Sequence, residues 1–128
     1  MAESSRCPYV IPEHVLAILD KQEAFRQSLR ESGYGLEVFS QAVDSFLVSF
    51  VSISDCRDGQ AKISRPLGWA LEGAIDYADE RQDPILGIPH VIYGISRLKD
   101  TLGGYLLRGK DSSFSRLIRH LDERYKKA

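Results

Sequence analysis

The chain repeats itself, and that limits its fold more than any other feature of the sequence. Setting His14 against His90, 76 residues further on, brings Ala2-Glu3 onto Ala78-Asp79 and Pro8-Tyr9-Val10 onto Pro84-Ile85-Leu86. Val15-Leu16 then meets Val91-Ile92, and Leu19 meets Ile95. Beyond that point the register slips by one or two residues. Leu29 meets Leu106, and Leu36, Phe39 and Val43 meet Phe114, Leu117 and Leu121. Each half is therefore expected to be a short helical unit, and the two halves a pseudo-symmetric pair. One unit alone would bury its apolar face poorly; two packed together bury it well.

The apolar spacing within each half is helical. Residues 12–21 carry Val15, Leu16, Ile18 and Leu19, with Pro12 in the first turn, where its missing N–H costs nothing. Residues 23–31 place Phe25 and Leu29 four apart, and Gly33 follows as a stop. Residues 36–50 align Leu36, Phe39, Val43, Phe46, Leu47 and Phe50. After the segment 51–62, extended at its start and loop-like at its end, Ser64 caps a helix with Pro66 in its first turn. That helix carries Leu67, Ala70, Leu71, Ala74, Ile75 and Ala78. Three more helices are predicted, over 88–98, 100–108 and 113–126, the last with Phe114, Leu117, Ile118, Leu121 and Tyr125 on one stripe. No segment makes a sheet, so the predicted class is all-α. The 128 residues form one domain: a first repeat over 1–50, a linker over 51–64 and a second repeat over 65–128.

"GYLLRGKD", from Gly104 to Asp111, is one residue short of a phosphate-binding loop, G-x-x-x-x-G-K followed by Ser or Thr. Such a loop must follow a buried strand. Here Ser96-Arg-Leu-Lys-Asp-Thr-Leu102 is polar and helical in pattern, and Asp111 would face phosphate with a negative charge. The stretch reads instead as a helix with Leu102, Leu106 and the neighbouring Tyr105 on a core stripe, ended by Gly109 as Gly33 ends its counterpart.

Other chemistry is sparse. His14 and His90 are related by the repeat and are expected to bond locally in the first turns of their helices; His120 is expected at the solvated surface, and Trp69 in the core, with a single aromatic anchor in a binding groove as its alternative. No nucleophile–base pair can be assembled, so an enzyme is not expected, nor a cofactor or a metal. A small hydrolase is the weakest of the functional classes. Cys7 and Cys56 have no metal-ligand spacing and read as thiols of a reducing cytosol. A net charge of −1, from 17 basic and 18 acidic residues, makes no case for nucleic acid or an anionic membrane. The basic end of the last helix, with Arg116, Arg119, Arg124, Lys126 and Lys127, complements a helix dipole. No apolar run approaches a membrane span of about 20 residues, and the expectation is a cytoplasmic protein.

"YVIPEHVLAIL" (9–19) with "FRQSLRESGYGLEVFSQAVDSFL" (25–47), and "LGWALEGAIDYADERQDPILGIPHVIYGI" (67–95) with "GGYLLRGKDSSFSRLIRHL" (103–121), resemble the two repeats of the Clp N-terminal domain of ClpA-type AAA+ unfoldases. The resemblance covers nearly the whole chain. It implies an all-helical pair of four-helix repeats that docks adaptors or substrates for ATP-driven unfolding by rings this chain does not contain. Partner types in the family include an N-degron adaptor, aggregated or tagged clients, phosphoarginine and contractile-sheath subunits of type VI secretion. Alternative readings are the sheath-recycling member of the family and a free-standing, self-associating helical protein. In phosphoarginine-binding relatives an acidic residue precedes each motif histidine. Glu13 matches that place in the first repeat, whereas Pro89 occupies it in the second. Asp83 matches an acidic residue that contributes to a substrate groove in disaggregase relatives. Ile11 and Gly87 stand where the Ser or Thr helix cap is usual.

Finally, the resemblance implies that the first helix of the first repeat is shortened by about three turns. An apolar groove is then expected, with Val15, Phe39 and Val43 near its floor, filled by a second copy of the chain, a partner helix or the segment 50–53.

Overall fold

The structure, a computed structural model, describes residues 9–48, 62–108 and 111–125. Seven helices lie among them: α1 (Pro12–Leu19), α2 (Glu23–Glu31), α3 (Leu36–Leu47), α4 (Arg65–Glu80), α5 (Ile88–Ser96), α6 (Leu102–Arg108) and α7 (Asp111–Arg124). The class is all-α, as the periodicity implied. The one addition is a two-residue parallel bridge in which β1 (Tyr9–Val10) pairs with β2 (Lys62–Ile63). Part of the expected linker is thus structured: β2 ties it to the first repeat, and Ser64 Oγ accepts the Leu67 N–H to cap α4. The segment 51–61, the expected stop at Gly109 and the segment 50–53 that was to fold back lie outside the described residues.

The repeat is visible in the core. Leu16 and Ile92 are both fully buried, as are Leu29 and Leu107, and Phe39 and Val43 correspond to the buried Leu117 and Leu121. The second half has therefore gained two residues by Leu29, one more than the sequence alignment placed there. Leu106 is only half-buried and Tyr105 is exposed, which corrects the stripe read through them. The expected groove is also absent at its floor. Phe39 and Val43 are 3% and 1% exposed, and Phe39 packs on the Phe25 ring at 6.3 Å. Val15 is half-buried against the same core. Elements of the second repeat supply the cover, because α3 packs on α6 as well as on α1 and α2. The halves interlock further where α2 packs on α7 and α1 on α6. Apolar side chains that one repeat cannot cover are thus closed over by the other.

α4 and α5 form the most extensive helix pair. Ala70, Ala74 and Ala78 line the buried face of α4, and a Cβ on Gly94 of α5 would sit 2.0 Å from the Ala70 carbonyl oxygen. Small residues bring the two backbones into contact. That close approach leaves Trp69 and Ile75 facing outward, 57% and 56% exposed, where the sequence placed both toward the core.

Candidate functional site

Two helix ends shape the region around His90. α4 stops with Gln82 in the left-handed conformation, φ 60°. Its N–H donates to the Asp79 carbonyl (3.0 Å), and the Asp83 N–H donates to that of Ala78 (2.9 Å). This is the Schellman pairing, and it repeats at Gly33, where Tyr34 N–H reaches the Leu29 carbonyl at 3.0 Å. The turn delivers Asp83 to the start of a short loop, Pro84-Ile85-Leu86-Gly87, that leads into α5.

α5 begins without a Ser or Thr cap. His90, three residues in, folds back instead, and its Nδ1 accepts the Gly87 N–H at 2.8 Å. His14 does the same for α1, accepting the Ile11 N–H at 3.1 Å. Each histidine fills the returning arm of a capping box, a place usual for Glu or Gln. This answers how α1 and α5 start without the usual cap, and it fixes a tautomer. With Nδ1 of His90 an acceptor, Nε2 carries the proton and donates to Asp83 Oδ2 at 2.8 Å. Arg81 Nε holds the same oxygen at 3.2 Å, while its Nη2 reaches Asp122 of α7 at 3.1 Å and its Nη1 the Tyr77 hydroxyl at 2.9 Å. The hydrogen bond from His90, helped by the charge of Arg81, holds the Asp83 carboxyl below the usual carboxylate range. The Tyr77 ring stacks on Tyr93 at 3.9 Å and meets His90 edge-on at 5.9 Å. Loop, α4, α5 and α7 are thereby pinned around one cleft.

The cleft has a volume of about 560 Å³. Asp83, Asp122 and Glu123 bring three carboxylates to it, and Arg81 one cation. Its apolar surface comes from Pro84, Ile85 and Pro89, with Tyr125 opposite and the exposed Leu86 next in the loop. Such a surface can hold a side chain with an apolar body and a positive tip. Among the described residues that line it, no nucleophile stands beside a base. Among the described residues no group of His, Cys, Asp and Glu is arranged to hold a metal ion.

The equivalent place in the first repeat is built differently. Glu13 is 2% exposed, and its Oε2 accepts the Gly103 N–H at 2.7 Å. That bond satisfies the start of α6, where Thr101 Oγ1 takes the Gly104 N–H at 3.0 Å. The carboxylate is thus turned inward and does not line an open pocket. The strand formed by Tyr9 and Val10, the counterparts of Ile85 and Leu86, is paired with β2. Of the five residues singled out from sequence, Asp83 lines this cleft; Glu13, Phe39 and Val43 are buried, and Val15 is half-buried against the core. Arg81, Asp122 and Tyr125 were missed. Asp122 on α7 and Tyr125 just past its end are far from Asp83 in sequence, and no local signal linked them to it.

His120 is half-buried rather than fully solvated, 3.6 Å from Glu31, which also accepts from Arg124 at 2.8 Å. That cluster ties α7 to α2 and takes Arg124 away from a simple dipole role. No helix among the described residues is long and apolar enough to cross a membrane.

Comparison with known proteins finds one family. The model of the Clp repeat (R) N-terminal domain matches residues 1–110. No curated protein and no solved structure matches the chain. Domains of this family are N-terminal modules of Clp-type ATPases and bind proteins such as adaptors or substrates. The match spans most of the double repeat, and the histidine-started helices α1 and α5 lie inside it, so the chain belongs to the Clp N-terminal repeat family.

Proposed function

We propose that this chain is a polypeptide-docking module of a Clp-type unfoldase, and that its ligand seats in the cleft beside His90. The observation that carries this reading is the cleft beside His90 and the carboxylates that line it. The first-repeat carboxylate, Glu13, is spent on a backbone N–H, whereas Asp83 stands in an open cleft with two further carboxylates and exposed apolar loop residues. The cleft's excess of negative charge favours a polypeptide segment that combines basic and apolar side chains. Such a segment belongs to an adaptor or to a substrate on its way to ATP-driven unfolding in the cytoplasm. Docking needs no chemistry of its own. A second copy of the chain is disfavoured as occupant of the groove expected from sequence, because Phe39 and Val43 are already covered.

The test is fluorescence anisotropy with a labelled peptide of alternating lysine and phenylalanine. Saturable binding is expected, weakened about tenfold, or ~1.4 kcal/mol, by Asp83→Asn. Glu123→Gln, at a residue outside the ion pairs above, is expected to weaken it several-fold with no change in melting temperature. Equal affinity for wild type and both variants would refute the assignment.

A further inference from the structure

The opposite end of α5 carries the opposite charge. Tyr93, Ser96, Arg97, Lys99, Arg108 and Phe114 line a second cavity of about 520 Å³. Arg26, Arg30, Arg81 and Arg124 each pair with a carboxylate, but Arg97, Lys99 and Arg108 make no ion pair among the described residues. Arg108 is spent on backbone: its Nη1 donates to the carbonyls of Ser96 and Leu98, and its Nη2 to that of Lys99. These are the carbonyls at and just past the end of α5, where the helix dipole is negative. Neutralising them leaves the charges of Arg97 and Lys99 uncancelled. Both side chains are exposed, and the Arg97 guanidinium lies 5.8 Å from the Tyr93 ring centre, which keeps it over the cavity. Phe114 meets Tyr93 at 6.3 Å and supplies a second half-buried ring. An adjoining cavity of about 480 Å³ shares Arg97 and Lys99 and adds the exposed Trp69, with Asp100 as its carboxylate. The combined surface holds three cations against one anion, in a chain whose net charge is −1.

We infer that this surface is a second docking point, for a polypeptide segment rich in acidic and aromatic side chains. Its carboxylates meet Arg97 and Lys99, and its rings pack on Tyr93, Phe114 and Trp69. His90, Tyr93 and Arg97 follow the i, i+3, i+7 pattern of one helix face, so this point shares a face of α5 with the acidic cleft and is selective for the opposite charge. A nucleic acid is disfavoured: of the three cations on this surface Arg108 is held by backbone carbonyls, and a net charge of −1 adds no attraction for a polyanion.

The experiment titrates the whole chain with a labelled peptide of alternating glutamate and phenylalanine, following anisotropy. Saturable binding is expected, weakened at least tenfold by the double variant Arg97→Glu, Lys99→Glu and weakened further by added salt. Asp83→Asn is expected to leave it unchanged, which separates this site from the acidic cleft whether or not that cleft binds. Trp69→Ala, at an exposed side chain, is expected to reduce affinity without lowering the melting temperature. Absence of saturable binding, an affinity indifferent to the double variant, or tighter binding of a single-stranded oligonucleotide would overturn the inference.

Discussion

At the scale of single residues, the second repeat differs from the first by where its core leucine falls. Leu107 is fully buried beneath the Tyr34 hydroxyl, which donates to its carbonyl, while Leu106 is half-buried. Leu107→Ala is therefore expected to cost about 2–5 kcal/mol and Leu106→Ala about 1 kcal/mol. Denaturant melts of the two variants check the register, and the reverse order would restore the alignment of Leu29 with Leu106. His14 gives a pH test. Burial holds its pKa below the ordinary 6.5, against the opposing charge of Glu13. The unfolded chain then takes up a proton near pH 6.5 while the folded chain resists it. Stability is fully present above that pH and falls as pH drops toward the folded value. Asp83 and Glu31, whose pKa values lie below 3.8 and 4.5, withdraw their contributions only in more acidic solution. Melting temperature is expected to decline between about pH 6.5 and 5, and His14→Gln, which keeps an acceptor for the Ile11 N–H, to reduce that decline. An unchanged slope in the variant would show that His14 is not its source.

At the scale of elements, the contact between α4 and α5 fixes the shape of both proposed sites. Gly94 is what lets the helices touch, since any side chain there would run into the Ala70 carbonyl. Gly94→Ala is expected to destabilise by at least about 2 kcal/mol, overpacking outweighing the better helix propensity of alanine. Gly68, on α4, faces open space: a Cβ there would have no neighbour within 4 Å, so Gly68→Ala is expected to stabilise by roughly 0.5–1 kcal/mol. Thermal melts of the pair separate close packing from intrinsic propensity; equal effects would mean the helices are not in contact at Gly94. The helices themselves were legible from sequence because their apolar period, prolines and stops are local signals. Ser64 and Gly33 behave as their residue types suggest. The exposure of Trp69 and Ile75 was not legible: both fit the apolar pattern of α4, and only the close approach of α5 at Ala70 and Ala74 determines which side of the helix is buried.

At the scale of the whole molecule, two repeats of similar sequence present unlike surfaces. The internal repeat announced the all-α pair, because matching apolar positions 76 to 78 residues apart require matching helices. It could not announce that Glu13 would be buried while Asp83 lines a cleft. That depends on contacts between the halves: Glu13 reaching Gly103, β1 pairing with β2, and α3 covering its own apolar face against α6. Asp83 was legible as a candidate through the resemblance to disaggregase relatives, whereas its partners Arg81 and Asp122 come together only when α4 and α7 pack. The central claim is that polypeptide docks at the second repeat beside His90. Backbone amide shifts, followed while the lysine–phenylalanine peptide is titrated into the whole chain, test it most directly. Saturable shifts concentrated at Arg81, Asp83, Gly87, His90 and Tyr125 are the predicted result. Shifts concentrated on α1 and α3 of the first repeat, or none at millimolar peptide, would contradict it.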